Sequence, residues 1–411
     1  MRVLVVGSGA REHALCWRLS RCASVDLVLV APGNPGMETV AGRLDLRPDD
    51  AAGLLAAVRQ HALDLVVIGP EAPLVAGLGD RLREGGVPVL GPSAAAAEIE
   101  GSKSWAMAFC HRHGMAAPQA VRCCSQGEAE AYGRTCALPV AIKADGLMSG
   151  KGVVIAQTRQ EAQAAVATLA PAGPVVFEEF LRGREVSAFA LCDGSRAVFY
   201  GIARDHKPLL AGNRGPMTGG MGAFAPVPDV DVTTRAQIEA LLQHAVSAMA
   251  EEGRPFVGFL FAGLMLTTTG PQVLEFNCRF GDPEAQSLLP LLEGDIAPQW
   301  LRAARGQLEA AEAARFADGF TLGVVLATPG YPEAPRPGQV IPGIGPAGQL
   351  PLPALVFHGA TRHDGPWTTA GGRVLTVVGQ GADLASARAR AYAAAATAGF
   401  AGAQFRSDMG Q

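Results

Sequence analysis

Four short apolar runs, at residues 3–6, 27–30, 65–68 and 87–90, alternate with helix-period sequence through the first hundred residues. That alternation constrains the fold more than any other feature, because it reads as βαβ units and predicts a parallel sheet. Each run ends in a loop bearing glycine or proline: Gly7-Ser8-Gly9-Ala10-Arg11-Glu12, Pro32-Gly33-Asn34-Pro35-Gly36, Gly69-Pro70-Glu71-Ala72-Pro73 and Gly91-Pro92-Ser93. Ligands of such sheets gather beyond the carboxyl ends of the strands. Four polar loops at that edge predict a ligand rim.

Beyond residue 100 the pattern changes. Residues 101–187 read as a helix, then strands at 140–143, 153–156 and 175–178, with a glycine loop between the first two strands. Residues 205–228 are dense in Gly, Pro and Asn and read as a long functional loop. A helix is predicted over 234–251, stopped by Gly253, and strands at 256–266 and 272–278 read as a hairpin. From Thr321 the chain reads as β-rich with one terminal helix, and 329–353 as loop. A length of 411 residues predicts about three domains. The changes of pattern set these at 1–100, 101–320 and 321–411.

The formal charge of −4 argues against a general polyanion binder and predicts no nucleic-acid partner, while leaving room for a small phosphorylated ligand. No apolar run approaches the roughly eighteen residues that span a bilayer, and the N-terminal run is too short for a signal peptide. Eight cysteines without CxxC spacing read as thiols of a reducing compartment. A cytoplasmic protein without a membrane partner is predicted.

Only four lysines occur against thirty arginines, and each sits in a glycine-bearing or short polar motif: Lys103, Lys143, Lys151 and Lys207. An ammonium is a compact point charge that arginine does not replace where a phosphate is gripped closely. The stretch from Lys143 to Gly152 joins two predicted strands, with three glycines to bring the backbone near an anion and two ammonium groups to neutralise it. The alternative is a flexible hairpin with solvated lysines. The first loop resembles a dinucleotide fingerprint, but Glu12 stands in place of its third glycine and Ala31-Pro32 where a ribose-binding acid would be. This argues against a nicotinamide cofactor and leaves the helix N-terminus to a substrate phosphate.

On the predicted strand 272–278, alternation puts Glu275 and Asn277 on one face and Leu274, Phe276 and Cys278 on the other. A carboxylate and an amide oxygen so placed suit a hard divalent cation that also takes phosphate oxygens. Arg279-Phe280-Gly281-Asp282-Pro283-Glu284 follows, where a cation and two more carboxylates converge on a turn. Glu178, Glu179 and Glu185 could accept from a base or a ribose, or simply be solvated. His206, between Asp205 and Lys207, is the one histidine in a suspicious setting.

These residues resemble the ATP-grasp ligases, and more closely the phosphoribosylamine–glycine ligase family. The motifs are Gly-Asn-Pro-Gly at 33–36, Gly-Pro-Glu-Ala-Pro-Leu at 69–74, Gly-Ser-Lys at 101–103, Lys-Ala-Asp-Gly-Leu at 143–147, Thr-Gly-Gly-Met-Gly-Ala at 218–223 and Glu-Phe-Asn-Cys-Arg-Phe-Gly-Asp-Pro-Glu at 275–284. The resemblance runs from Met1 to about Asp408. It implies an α/β fold with a Rossmann-like, parallel-sheet, substrate-binding pre-ATP-grasp domain at the N-terminus over 1–100, a two-part ATP-grasp domain over 101–320 with a lid at about 118–187, and a small β-rich C-terminal domain over 321–411. It also implies ATP-dependent ligation of glycine to 5-phosphoribosylamine through a glycyl phosphate, in purine biosynthesis, by a monomer or weak homodimer.

By position the resemblance assigns Glu275 and Asn277 to Mg²⁺ or Mn²⁺, and Lys103, Lys143, Gly150 and Lys151 to ATP. Glu178 falls near the adenine and Glu185 near its ribose. Arg279, Asp282 and Lys207 take catalytic positions, Asp205 and Gly219 line the acceptor site, and Gly9, Asn34 and Glu71 face the phosphoribosylamine. One departure stands out: Met217 occupies a position that is usually Asn, and a thioether lacks the donors of an amide. The rival readings are another ATP-grasp carboxylate–amine ligase or carboxylase, a nucleotide-binding sensor without chemistry, and, weakest, a nicotinamide oxidoreductase.

Overall fold

The computed structural model describes residues 1–147 and 152–411. Its first unit is the expected parallel sheet. Strands β1 (Arg2–Gly7), β2 (Leu27–Pro32), β3 (Gly42–Arg43), β4 (Leu65–Ile68) and β5 (Val89–Leu90) lie in the order β3-β2-β1-β4-β5. Helices α1 (Ala10–Leu19), α2 (Ala51–His61), α3 (Glu71–Val75) and α4 (Leu78–Glu84) intervene. The strand β1 is apolar from Val3 to Val6 because it is covered on both faces: Leu4 and Val6 enter one core, Val3 and Val5 another. The strand β5 is shorter than the run at 87–90, since Pro88 has no N–H and offers only its carbonyl, which Val66 takes.

Helices α5 (Ala94–Gly101) and α6 (Lys103–Arg112) lead into a second unit. It contains β6 (Ala120–Cys123), α7 (Gln126–Thr135), β7 (Val140–Ala144), β8 (Val153–Ala156), α8 (Arg159–Leu169) and β9 (Val175–Glu179), with antiparallel strand order β6-β9-β7-β8. The sequence reading found three of its strands but missed β6, α7 and α8. Both helices carry a serine or threonine cap whose hydroxyl accepts an N–H three residues on, Ser125 from Glu128 and Thr158 from Glu161. This unit has a core of its own, running from Cys123 to Phe177.

The remainder builds one antiparallel sheet of eight strands, in the order β16-β15-β10-β11-β14-β17-β21-β18. Its members are β10 (Arg184–Asp193), β11 (Ala197–Asp205), β14 (Gly222–Ala225), β15 (Val257–Thr267), β16 (Gly270–Asn277), β17 (Phe320–Ala327), β18 (Leu355–His358) and β21 (Arg373–Gly381). Two small hairpins, β12 (Pro208–Leu210) with β13 (Arg214–Met217) and β19 (Thr361–His363) with β20 (Trp367–Thr369), lie outside it. Helices α9 (Val232–Glu251), α10 (Glu284–Leu288), α11 (Ala297–Ala304) and α12 (Leu384–Thr397) complete the chain. The stretch 205–228, expected as an irregular loop, holds the β12–β13 hairpin and β14, which pairs with both β11 and β17. That strand carries the sheet without a break into the C-terminal part. The hairpin of β15 and β16 forms as expected.

Candidate active site

A cavity of about 500 Å³ opens where the first unit, the second unit and the large sheet meet. Strand β7 brings Lys143 into it. The residue is 6% exposed, and its ammonium lies 2.5 Å from Glu178 Oε2 and donates to the Leu274 carbonyl at 3.1 Å. Glu178 comes from β9, which pairs with β7, and is 2% exposed rather than a solvated strand end. Its other oxygen, Oε1, is buried and has no hydrogen-bond partner among the described residues. An orphaned carboxylate oxygen beside a cavity is an acceptor awaiting a donor. Lys103, at the start of α6, donates to the Gly146 carbonyl at 2.7 Å and lines the same cavity, and burial lowers its pKa. Gly150 and Lys151 lie outside the described residues.

Strand β16 contributes the acids, with one departure from simple alternation. Glu275 pairs with Gly263 and Val273 with Leu264, so Leu274 is the extra residue of a bulge. Phe276 and Cys278 enter the core as expected, but Leu274 does not join them; it lines the cavity and offers its carbonyl to Lys143. Gly263 leaves room opposite: a Cβ there would come within 3.0 Å of Glu275 Cγ. Glu275 Oε1 accepts from Lys207 at 3.0 Å, and that ammonium, despite burial, holds the Glu275 pKa down to about 2. Lys207 also meets Glu185 at 2.7 Å. Burial works against its charge, but Glu185, Glu275 and Asp205 outweigh this and raise its pKa well above the ordinary value. Lys207, expected with the acceptor, is thus tied to two acids expected at the nucleotide and the metal.

Asn277 lines the cavity beside Glu275 and accepts from Arg279 at 3.2 Å. Among the described residues, no three His, Cys, Asp or Glu side chains gather around one point suited to a metal. A single ionised carboxylate and one amide oxygen nevertheless fit Mg²⁺ or Mn²⁺, which takes its remaining oxygens from phosphate and water.

The acceptor side is built around Arg279 and Asp282. Arg279 pairs with Glu100 at 2.8 Å and Glu71 at 3.3 Å. Burial favours the neutral form of Glu71, yet Arg279 and Arg11 overcome it and bring its pKa to about 2. Asp282 accepts from Gln286 at 2.7 Å and pairs with Arg373 at 3.1 Å. Asp205 and Glu284 also line the cavity; burial first, and for Asp205 the nearby Glu284, raise their pKa values. Gly219 lines it too, and Gly220 follows with φ of +108°, where a Cβ would strike Pro283 and Asp205. Met217 lies at the rim. The turn is held instead by Thr218, whose hydroxyl donates to the Lys207 carbonyl at 2.6 Å and accepts from Gly220 N–H at 3.0 Å.

Three expectations need correction. Asn34 does not line the cavity: 6% exposed, it donates to the carbonyls of Ser8 and His358 and accepts from Gly36 N–H. The α1 N-terminus is partly satisfied from within, because Glu12 takes the Gly9 N–H at 2.7 Å. His206 lines neither cavity, and burial lowers its pKa to about 4. Gly9 lines a second cavity of about 290 Å³, together with Ser8, Ala10, Asp282, Gly359, Ala360 and Arg373. The sequence reading missed Arg373, Glu100 and Arg11. Glu100 stands next to the Gly-Ser-Lys motif; Arg373 has no motif around it.

The family description phosphoribosylglycinamide synthetase matches in three parts: its N domain over residues 1–100, its ATP-grasp (A) domain over 101–285 and its C domain over 321–411. A phosphoribosylamine–glycine ligase from Caulobacter vibrioides is 44% identical, covering all of this chain and 98% of that protein. One from Ralstonia nicotianae is 42% identical over all of this chain and 99% of its own length. The crystal structure of phosphoribosylamine–glycine ligase from Thermotoga maritima superposes with a TM-score of 0.84 at 32% identity, covering 99% of this chain and 100% of that one. A biotin carboxylase from Campylobacter jejuni in complex with β,γ-ATP, 15% identical over 98% of this chain and 93% of that one, shares the fold at a TM-score of 0.70. With full-length relatives at this identity and all three domains matched, the chain belongs to the phosphoribosylglycinamide synthetase family.

Proposed function

We propose that this protein joins glycine to 5-phosphoribosylamine at the expense of ATP, giving glycinamide ribonucleotide, ADP and phosphate. The observation that carries the reading is that Lys103, Lys143, Glu178, Glu275, Asn277, Arg279 and Asp282 all line one cavity. A carboxylate oxygen of glycine attacks the γ-phosphorus of ATP, and the bond to ADP breaks. The amine nitrogen then attacks the acyl carbon of glycyl phosphate; the carbon–oxygen bond to phosphate breaks and the nitrogen loses a proton.

Little covalent chemistry falls to the protein, so positioning and charge carry the catalysis. Lys143 and Lys103 supply cations for the phosphates, and Oε1 of Glu178, without a partner among the described residues, accepts from the adenine amino group. Glu275 and Asn277 would hold a divalent ion, which when bound neutralises phosphate charge. The Thr218-braced turn supports this over a sensor without chemistry, because the side-chain bonds that hold it come from Thr218 and not from residue 217.

ADP release with Mg²⁺, glycine and phosphoribosylamine, each left out in turn, tests the reading. Turnover that needs both glycine and the amine is expected. Turnover indifferent to glycine, or nucleotide binding with no turnover, would overturn it.

A further inference from the structure

Arg373 opens β21, far along the chain from every motif of the site, yet its guanidinium lies inside it. Its Nη1 donates to the carbonyls of Gly219 at 2.7 Å and Asp282 at 2.7 Å, with a longer contact to Gly220 at 3.4 Å. Its Nη2 pairs with Asp282 Oδ2 at 3.1 Å. The two turns joined in this way come from different segments, one before β14 and one before α10. Asp282 and Arg373 are also the residues common to the linings of the two cavities. The pair therefore stands at the boundary between them. A planar fork can bind two carbonyls and a carboxylate at once; an ammonium cannot cover the same spread.

We propose that Arg373 is a positioning residue through which the C-terminal part of the chain completes the acceptor half of the site. It fixes the Gly219–Gly220 turn and the Asp282 carboxylate where the amine must approach the activated carboxyl group. The proposal rests on the ligase reading above. Its mark is selectivity: losing the fork disturbs the meeting of amine and acyl group while the nucleotide grip, built by Lys103, Lys143 and Glu178, stays intact. A merely structural staple would weaken every substrate alike.

The test uses the full-length protein and its Arg373→Ala and Arg373→Lys variants in the ADP-release assay, with KM for ATP and for the amine measured separately. Glycine- and amine-dependent turnover of the unmodified protein is the control, and its absence would sink the ligase reading rather than this one. For Arg373→Ala, kcat/KM for the amine is expected to fall about a hundredfold, as for a misplaced reacting pair, with KM for ATP within about twofold. Methylguanidinium added to the assay should restore part of that loss, and Arg373→Lys should recover little. Equal changes in all KM values without rescue, or unchanged activity, would overturn the proposal. If Arg373→Ala no longer binds an ATP analogue, Arg373→Lys decides: an unaltered amine KM in that variant also overturns it.

Discussion

Lys143 and Glu178 show how a charge pair is made useful by being left incomplete. Lys143 is satisfied by Glu178 Oε2 and the Leu274 carbonyl, but Glu178 Oε1 has no partner among the described residues. A guanidinium keeps the charge, but its longer planar fork cannot keep the ammonium's bonds to Glu178 Oε2 and the Leu274 carbonyl. Lys143→Arg is expected to raise KM for ATP about ten- to hundredfold, matching the ~1.5–3 kcal/mol of a hydrogen bond to a charged group, with KM for the amine nearly unchanged. Steady-state kinetics with each substrate varied checks this, and equal KM values for ATP in the two proteins would refute it. At this scale the sequence was most legible where residue type alone carried meaning. Three lysines and the Glu275–Asn277 pair could be found from composition and alternation. Arg373 could not, being one of thirty arginines with nothing local to mark it.

Elements were legible in proportion to how locally they are determined. The βαβ pattern of the first hundred residues announced its sheet because each strand is buried by its own crossovers. The bulge at Leu274 was not readable, since it arises from register against β15 and not from the sequence of β16. Nor was β14, which is held between β11, beyond an intervening hairpin, and β17, about a hundred residues further along the chain. The joint between α6 and β7 is a similar nonlocal device. Asp145, at the end of β7, accepts from Ser102 at 3.2 Å and Ser104 Oγ at 2.6 Å, and pairs with Arg122 at 3.0 Å. Burial opposes its charge, but these donors keep its pKa below the usual value. The clasp sets the start of α6, and with it Lys103, against the second unit. Asp145→Asn removes the charge with little change of shape. It should raise KM for ATP about tenfold through loosened positioning, while the amine KM holds steady. A change confined to the amine would show that the joint serves the acceptor instead.

At the scale of the whole molecule, the first unit and the C-terminal strands are locked by a buried histidine pair. His358 N–H donates to His13 Nδ1 at 2.9 Å, and the His358 ring bonds Thr361 at 3.1 Å and the Gly348 carbonyl at 2.8 Å. Asn34 adds its own bond to the His358 carbonyl. The first contact requires an unprotonated Nδ1 on His13, which accepts there, while His358 donates its Nε2–H to the Gly348 carbonyl and burial disfavours a second proton on its ring. Burial lowers both pKa values, His358 to about 4 and His13, with His358 adding to the effect, well below the ordinary 6.5. Between those limits the unfolded chain binds protons that the native one refuses, so stability is full above about pH 6.5 and falls as pH drops toward 4. For His358 alone the loss is ~3 kcal/mol by the time pH reaches its folded pKa. Because the pair holds α1 against β18, the same fall should loosen the edge of the second cavity, which Gly9 and Gly359 both line. Denaturant midpoints measured across this pH range check the slope. His13→Asn, which keeps an acceptor at the same place but does not titrate, should flatten it by removing one of the two groups. A slope identical in that variant would place the acid sensitivity elsewhere in the molecule.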